Sequence, residues 1–168
     1  QVSVCLTGDG GDELFGGYPW RYYRGIGAKN FKEYIDEYYS YWQRLIPNNE
    51  IAKVFSPIWN DVNDVWTRDI FEDVFSNHAN SLDKPEDYIN HSLYFEAKTF
   101  LHGIFVVEDK LSMAHSLESR LPFMDNDLVE FAMNCPTSLK VDNLNNISNV
   151  DENDLTSENS KPFIKTKA

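Results

Sequence analysis

The residues with the most chemistry in them lie between Leu6 and Tyr18, in the stretch LTGDGGDELFGGY. Three carboxylates, Asp9, Asp12 and Glu13, are set among five glycines, Gly8, Gly10, Gly11, Gly16 and Gly17. Glycine tolerates positive φ and lets backbone N–H groups come close to an anion. Carboxylates beside such a loop would repel a bare phosphate, so a cation must lie between them. Mg²⁺ suits that position, because it takes oxygen ligands from one or two carboxylates and from substrate phosphates. The stretch therefore points to a Mg²⁺–nucleotide site. The competing reading is a plain strand-to-helix turn with solvated acids. Neither common phosphate template fits: no Lys precedes Lys29, as a P-loop would need, and Glu13 stands where the dinucleotide fingerprint has its third Gly.

A second informative stretch is Val107 to Glu130, VEDKLSMAHSLESRLPFMDNDLVE. Glu108 and Asp109 are expected to precede a helical run through Met113 and Ala114 that breaks around Leu117. Glu118 and Arg120 are too close for an i,i+4 helical pair and are expected to face different neighbours, an ion pair stapling the loop being the alternative. Asp125 is expected to cap a last helix from Leu128 to Met133.

These residues need elements to hold them. Val2-Ser3-Val4-Cys5-Leu6 reads as a buried strand delivering the Gly-rich loop at its carboxyl end, where open α/β sheets place ligands. A short helix from Asp12 to Tyr18, interrupted by Pro19, would add a positive dipole end. Arg21 and Arg24 beside Tyr22 and Tyr23 read as a solvated basic-aromatic surface. Phe31, Tyr34, Ile35, Tyr38, Trp42 and Leu45 recur at helical spacing, predicting a helix from about Phe31 to Ile46 capped by Asn30 and Glu33 and ended by Pro47. Its Tyr-rich face reads as core or packing surface. Thr67 to Ser76 reads as a helix with an apolar seam. Asp83 is expected to cap a longer helix with Pro85 in its first turn, burying Tyr88, Ile89, Leu93, Phe100, Leu101 and Ile104. His91 and His102 are expected to be satisfied positions on it.

The chain has 168 residues with 42% hydrophobic and 14% aromatic content, enough for a folded core. Its formal charge of −12 argues against nucleic acid and anionic membranes as partners. No apolar run approaches the roughly 20 residues of a transmembrane helix, and no signal peptide is visible, so the expected location is cytoplasmic. Cys5 and Cys135 read as isolated thiols, and the histidines show no zinc-ligand spacing. Because the chain opens on a strand that needs partners, its sheet neighbours are expected from sequence outside it. Asp142 to Ser160, with six Asn and five acids, reads as an exposed or disordered loop. Three segments result: residues 1–140, an Asn-rich acidic stretch at 141–160, and the start of a further element at 161–168.

Taken together, the two stretches resemble the synthetase domain of glutamine-hydrolysing asparagine synthetases. That family carries Ser/Thr-Gly-Glu/Asp-Gly-x-Asp-Glu-x-Phe-x-Gly-Tyr, matched by Thr7–Tyr18, and then Asp-x-x-Ser-Met-Ala-x-x-Leu-Glu-x-Arg-x-Pro-Phe-x-Asp, matched by Asp109–Asp125. The resemblance implies an α/β domain of the PP-loop ATP-pyrophosphatase (adenine nucleotide alpha hydrolase-like) class, of which this chain would keep one sheet strand and the mostly helical C-terminal part. It implies a ligase that adenylates aspartate with ATP to β-aspartyl-AMP and pyrophosphate, and lets glutamine-derived ammonia displace AMP. By that likeness Asp12 binds Mg²⁺ and pyrophosphate. Asp9, one methylene shorter than the Glu of well-known members, is the acid/base of the ammonia step. Thr7, Gly8, Asp9, Gly10, Gly11 and Asp12 hold the nucleotide, and Glu118 and Arg120 shape the substrate site.

The family's Ser-Gly-Gly-x-Asp-Ser pyrophosphate loop and the amino-terminal Cys of its glutaminase domain are not in this sequence. Lys167 is a candidate for a later Lys. The expectation is a fragment that releases no pyrophosphate on its own, needing glutaminase and pyrophosphate-loop segments as partners. Two alternatives stand beside it: an amidotransferase acting on a sugar, peptide or β-lactam-precursor carboxylate, and a non-catalytic interaction fragment.

Overall fold

The computed structural model describes residues 2–25, 27–43, 46–78 and 82–141. The Asn-rich stretch, the 161–168 element, Lys167 and Leu45 lie outside the described residues. Two compact units divide the chain: residues up to Tyr23 together with those from Lys84 onward, and Arg24–Asp83.

The first unit begins with β1 (Val4–Leu6), α1 (Gly11–Phe15) and α2 (Pro19–Tyr22). The second holds α3 (Phe31–Trp42), α4 (Asn48–Val54), α5 (Trp59–Val62) and α6 (Thr67–Asp73). The chain then returns to the first unit with α7 (Pro85–Lys98), α8 (Phe100–Ala114), β2 (Glu118–Arg120), α9 (Asn126–Asn134) and α10 (Thr137–Lys140). The described fold is mostly helical with one two-stranded parallel sheet.

In the second unit the aromatic periodicity of α3 becomes core. Asn30 accepts from the Glu33 N–H at 3.0 Å, and the Glu33 carboxylate accepts from the Lys29 N–H at 2.8 Å, so the box closes one residue before the cap. Tyr34, Ile35, Tyr38 and Tyr39 are buried. Phe71 on α6 and Phe75 just past its end meet Tyr34, Tyr38 and Tyr39 edge-on at ring separations of 5.6–6.1 Å, and Phe75 meets Phe31 at 5.5 Å. The helix stops at Trp42, short of Pro47, which instead precedes α4. The two short helices α4 and α5, with little apolar periodicity, are additions to the predicted set. Trp66 and Ile70 are exposed, so the α6 seam is narrower than its composition implies.

Several expectations about the first unit are corrected. β1 has a sheet partner within this chain: β2 pairs with it in parallel, Val4 opposite Glu118, Cys5 opposite Ser119 and Leu6 opposite Arg120. The chain thus keeps two strands, and Glu118-Ser119-Arg120 is strand, not loop. Period-two alternation places Cys5 and Ser119 on the half-buried face and Val4, Leu6, Glu118 and Arg120 on the exposed one, with Leu6 75% exposed. β1 is therefore not a buried strand.

α1 ends at Gly16, left-handed at φ 76°, and Pro19 opens the next helix where an N–H is not needed. Lys84, not Asp83, precedes α7, and its N–H donates to Asp87 at 3.1 Å. The predicted long helix breaks at Thr99 into α7 and α8, and Glu108 and Asp109 fall inside α8. Tyr88, Ile89, Leu93 and Leu101 are buried as expected.

Candidate functional site

The site is built where the two strands end side by side. The Thr7 N–H donates to the Arg120 carbonyl at 3.0 Å, continuing the ladder by one bond beyond Leu6. The chain then turns on its glycines. Gly10 sits at φ 88°, a left-handed conformation that an L side chain adopts at a cost. A Cβ there would lie 2.3 Å from the Met124 methyl, and one at Gly11 would touch the Phe123 ring at 3.4 Å. Phe123 also meets Phe15 edge-on at 6.4 Å. The Pro122–Met124 turn of the second motif thus packs under the glycines of the first, and the absence of side chains there permits it.

Within the loop, the Thr7 hydroxyl donates to Asp9 Oδ2 at 2.8 Å and accepts from the Asp9 N–H at 3.4 Å. Asp9 is therefore oriented by its own turn. Asp12 stands exposed in the first turn of α1. Its carbonyl accepts from Gly16 and Gly17 at 2.8 and 2.9 Å, ending the helix. Its side chain folds against Gly17 so closely that any Cβ at position 17 would overlap the carboxylate. Burial first, and then the Asp12 carboxylate, hold the Tyr18 phenol well above its usual range. With only five residues, α1 has little aligned dipole, so the loop amides matter more than a helix end.

Glu118 and Arg120 share a face, as i,i+2 residues of a strand must, and their side chains pair at 2.5 Å with both more than half exposed. They do not face different neighbours. Arg120 lies opposite the last β1 residue, next to the loop, while Glu118 lies one pleat further back. On the opposite face, Ser119 donates to Glu108 Oε1 at 2.7 Å, and Cys5 Sγ is 3.6 Å from Ser119 Oγ, tying α8 to the sheet.

Arg21 is the largest departure from the sequence reading. It is buried rather than solvated, 8% exposed. Its guanidinium lies 3.9 Å from the Tyr18 ring centroid and 4.8 Å from that of Phe100. Nη1 is 3.4 Å from the carboxylate of Glu96, which is fully buried. Glu13 is buried as well, and desolvation first, with Asp12 and Asp9 adding to it, raises its carboxyl above the usual range. Glu96 escapes a reading by motif, because it belongs to neither of the two informative stretches. A carboxylate on the core side of α7, among Ile89, Leu93 and Phe95, was the available signal.

Among the described residues no group of three or more His, Cys, Asp or Glu is gathered to hold a metal. One exposed carboxylate, Asp12, beside a glycine turn still suits Mg²⁺, which leaves most of its coordination to phosphates and water. No described helix is long and apolar enough to cross a membrane.

A parallel strand pair feeding a Gly-rich acidic loop, with helices in the same unit, defines the class as an α/β domain. The family model described as asparagine synthase matches residues 1–162, and the chain belongs to that family. It is similar to asparagine synthetase (glutamine-hydrolyzing) 3 of Bacillus subtilis, 27% identical over 82% of this chain and 21% of that protein. It is also similar to asparagine synthetase (glutamine-hydrolyzing) 1 of the same organism, 29% identical over 85% of this chain and 26% of that protein. A third relative is amidase chry2 of Gibberella zeae, 23% identical over 97% of this chain and 30% of that protein. The chain thus spans less than a third of the length of these relatives. No solved structure matches it.

Proposed function

We propose that this chain is part of a PP-loop-class, ATP-dependent asparagine synthetase. The β-carboxylate of aspartate attacks the α-phosphorus of ATP, the bond from that phosphorus to the pyrophosphate oxygen breaks, and β-aspartyl-AMP and pyrophosphate form. Ammonia from glutamine then attacks the acyl carbon, the acyl–phosphate C–O bond breaks, and AMP leaves with the electron pair. Loss of a proton from nitrogen gives asparagine.

In this reading Asp12 would hold Mg²⁺, which would supply positive charge beside the pyrophosphate. Thr7 to Gly11 line the phosphate site, and Gly8 and Gly10, without side chains, let the phosphates approach the backbone. Asp9, steered by Thr7, takes the ammonia proton; a general base must lie within about 2.6–3.2 Å of the proton it removes. Arg120, at the strand end, is the group for a substrate carboxylate, with Glu118 holding its guanidinium.

The observation that carries the reading is the parallel pairing that brings both motifs to one sheet end. The test is pyrophosphate release by the product of the complete reading frame that contains this chain. Release should require aspartate, and Asp12→Asn should lower it about 10²-fold or more. A second reading draws on the amidase relatives: another carboxylic acid is activated by the same chemistry. A panel of carboxylates separates the two, and release with none of them would overturn both.

A further inference from the structure

We propose that Glu108 is a positioning residue: it pins β2 in register against β1 and, through the strand end, sets where the Asp9 carboxylate stands. The consequence for catalysis rests on the reading of Asp9 as the base of the ammonia step.

The ladder has little else to fix it. Each strand is three residues long and the pairing is parallel, the slightly less stable kind. A slip of one residue would turn every β2 side chain to the opposite face. On the exposed face Glu118 and Arg120 bond to each other, not to β1. On the half-buried face Cys5 Sγ meets Ser119 Oγ across the strands at 3.6 Å. Ser119 is itself held from outside the sheet, donating to Glu108 Oε1 at 2.7 Å. A hydroxyl donating to a carboxylate at that length makes a strong side-chain bond.

The local chain path makes that bond decisive. After α8 the Ser112 carbonyl accepts from the His115 and Leu117 N–H groups at 3.0 and 2.9 Å, and Ser116 turns the chain at φ 55°. This tight reversal ties the start of β2 to the end of α8. The Glu108–Ser119 bond then closes the helix-turn-strand unit on itself. A slipped β2 would carry Ser119 away from Glu108, so the bond selects one register.

From Ser119 the effect reaches the loop through a continuous set of contacts. The next residue, Arg120, offers its carbonyl to the Thr7 N–H at 3.0 Å. The Thr7 hydroxyl donates to Asp9 Oδ2 at 2.8 Å. With Ser119 fixed, the Arg120 carbonyl has one height along β1, and Thr7 and Asp9 follow from it. Glu108 thus acts on the loop through the strand and makes no bond to the loop itself.

The first arm of the test uses the full 168-residue chain and reads native-state hydrogen exchange at the Thr7 amide and the Asp9 ¹³Cγ resonance at one fixed pH. Val129 on α9, whose N–H donates to the Asp125 carbonyl at 2.9 Å, is the reference within the same unit. Glu108→Ala and Ser119→Ala should each speed Thr7 exchange about tenfold, as for loss of a hydrogen bond to a charged group, and leave Val129 unchanged. Both should move the Asp9 resonance. The double variant should match either single one, because both remove the same bond. Glu108→Gln keeps an acceptor for Ser119 and should restore most of the protection. Equal acceleration at Thr7 and Val129, losses that add, a Gln variant no better than Ala, or an unmoved Asp9 resonance would overturn the proposal. If Glu108→Ala does not fold, Ser119→Ala and Glu108→Gln decide by the same criteria. The second arm measures asparagine formation from added ammonia by the product of the complete reading frame. There Glu108→Ala should lower kcat about tenfold and leave KM for ATP within about twofold. A moved Asp9 resonance with unchanged kcat would remove Asp9 as the base and leave the register pin standing.

Discussion

The backbone N–H of Thr7 donates to the carbonyl of Arg120 at 3.0 Å, so the first residue of the Gly-rich loop is fastened to the last residue of the second strand. Everything proposed for the site depends on that fastening, because it places the carboxyl ends of β1 and β2 side by side.

Gly10 tolerates a side chain poorly. Its φ of 88° costs an L residue about 1–2 kcal/mol, and the Met124 methyl already fills the space a Cβ would take. Gly10→Ala should therefore destabilise the chain by at least that amount in urea unfolding. Adding Met124→Ala should recover the steric part and leave the backbone part.

The buried pair of Arg21 and Glu96 should behave asymmetrically. Glu96→Leu alone removes the buried carboxylate beside the interior cation and should cost about 3–5 kcal/mol. Glu96→Leu with Arg21→Met should be much closer to wild type in denaturant unfolding, since the pair's desolvation penalty disappears with both charges.

Glu13 gives a pH signature. Burial raises its carboxyl above 4.5 in the folded chain. Below the unfolded value both states are protonated and no penalty arises. As pH rises from about 4.5 towards the folded value, the unfolded chain ionises first, and stability is lost across that window. Glu13→Gln removes the effect. Unfolding free energies measured from pH 4 to 8 should show the variant gaining on wild type as pH rises, with the gap level above the folded value.

The Gly-rich loop, the α3 helix and the caps at Asn30 and Asp125 were legible because each is local: glycines mark a turn, and apolar residues three and four apart mark a face. Asp125 accepts from the N–H groups of Asp127 and Leu128, as its place before an apolar run suggests. β2 was not legible. Glu-Ser-Arg has no strand composition, and its conformation comes from pairing with a segment far away in sequence. The break at Thr99 carries no Gly or Pro to announce it. Arg21 was misplaced because an Arg among tyrosines looks solvated until Glu96, on another helix, supplies its counter-charge. The candidate loop residues were thus readable from type and spacing, whereas their support comes from tertiary contacts.

The most direct measurement follows backbone ¹H–¹⁵N resonances of the full chain during titration with Mn²⁺ and ATP. The account predicts that broadening appears first at Thr7 to Asp12 and at the adjoining end of β2 around Arg120, and that Asp12→Asn removes it. Broadening centred instead on the second unit, or spread without a focus, would contradict it.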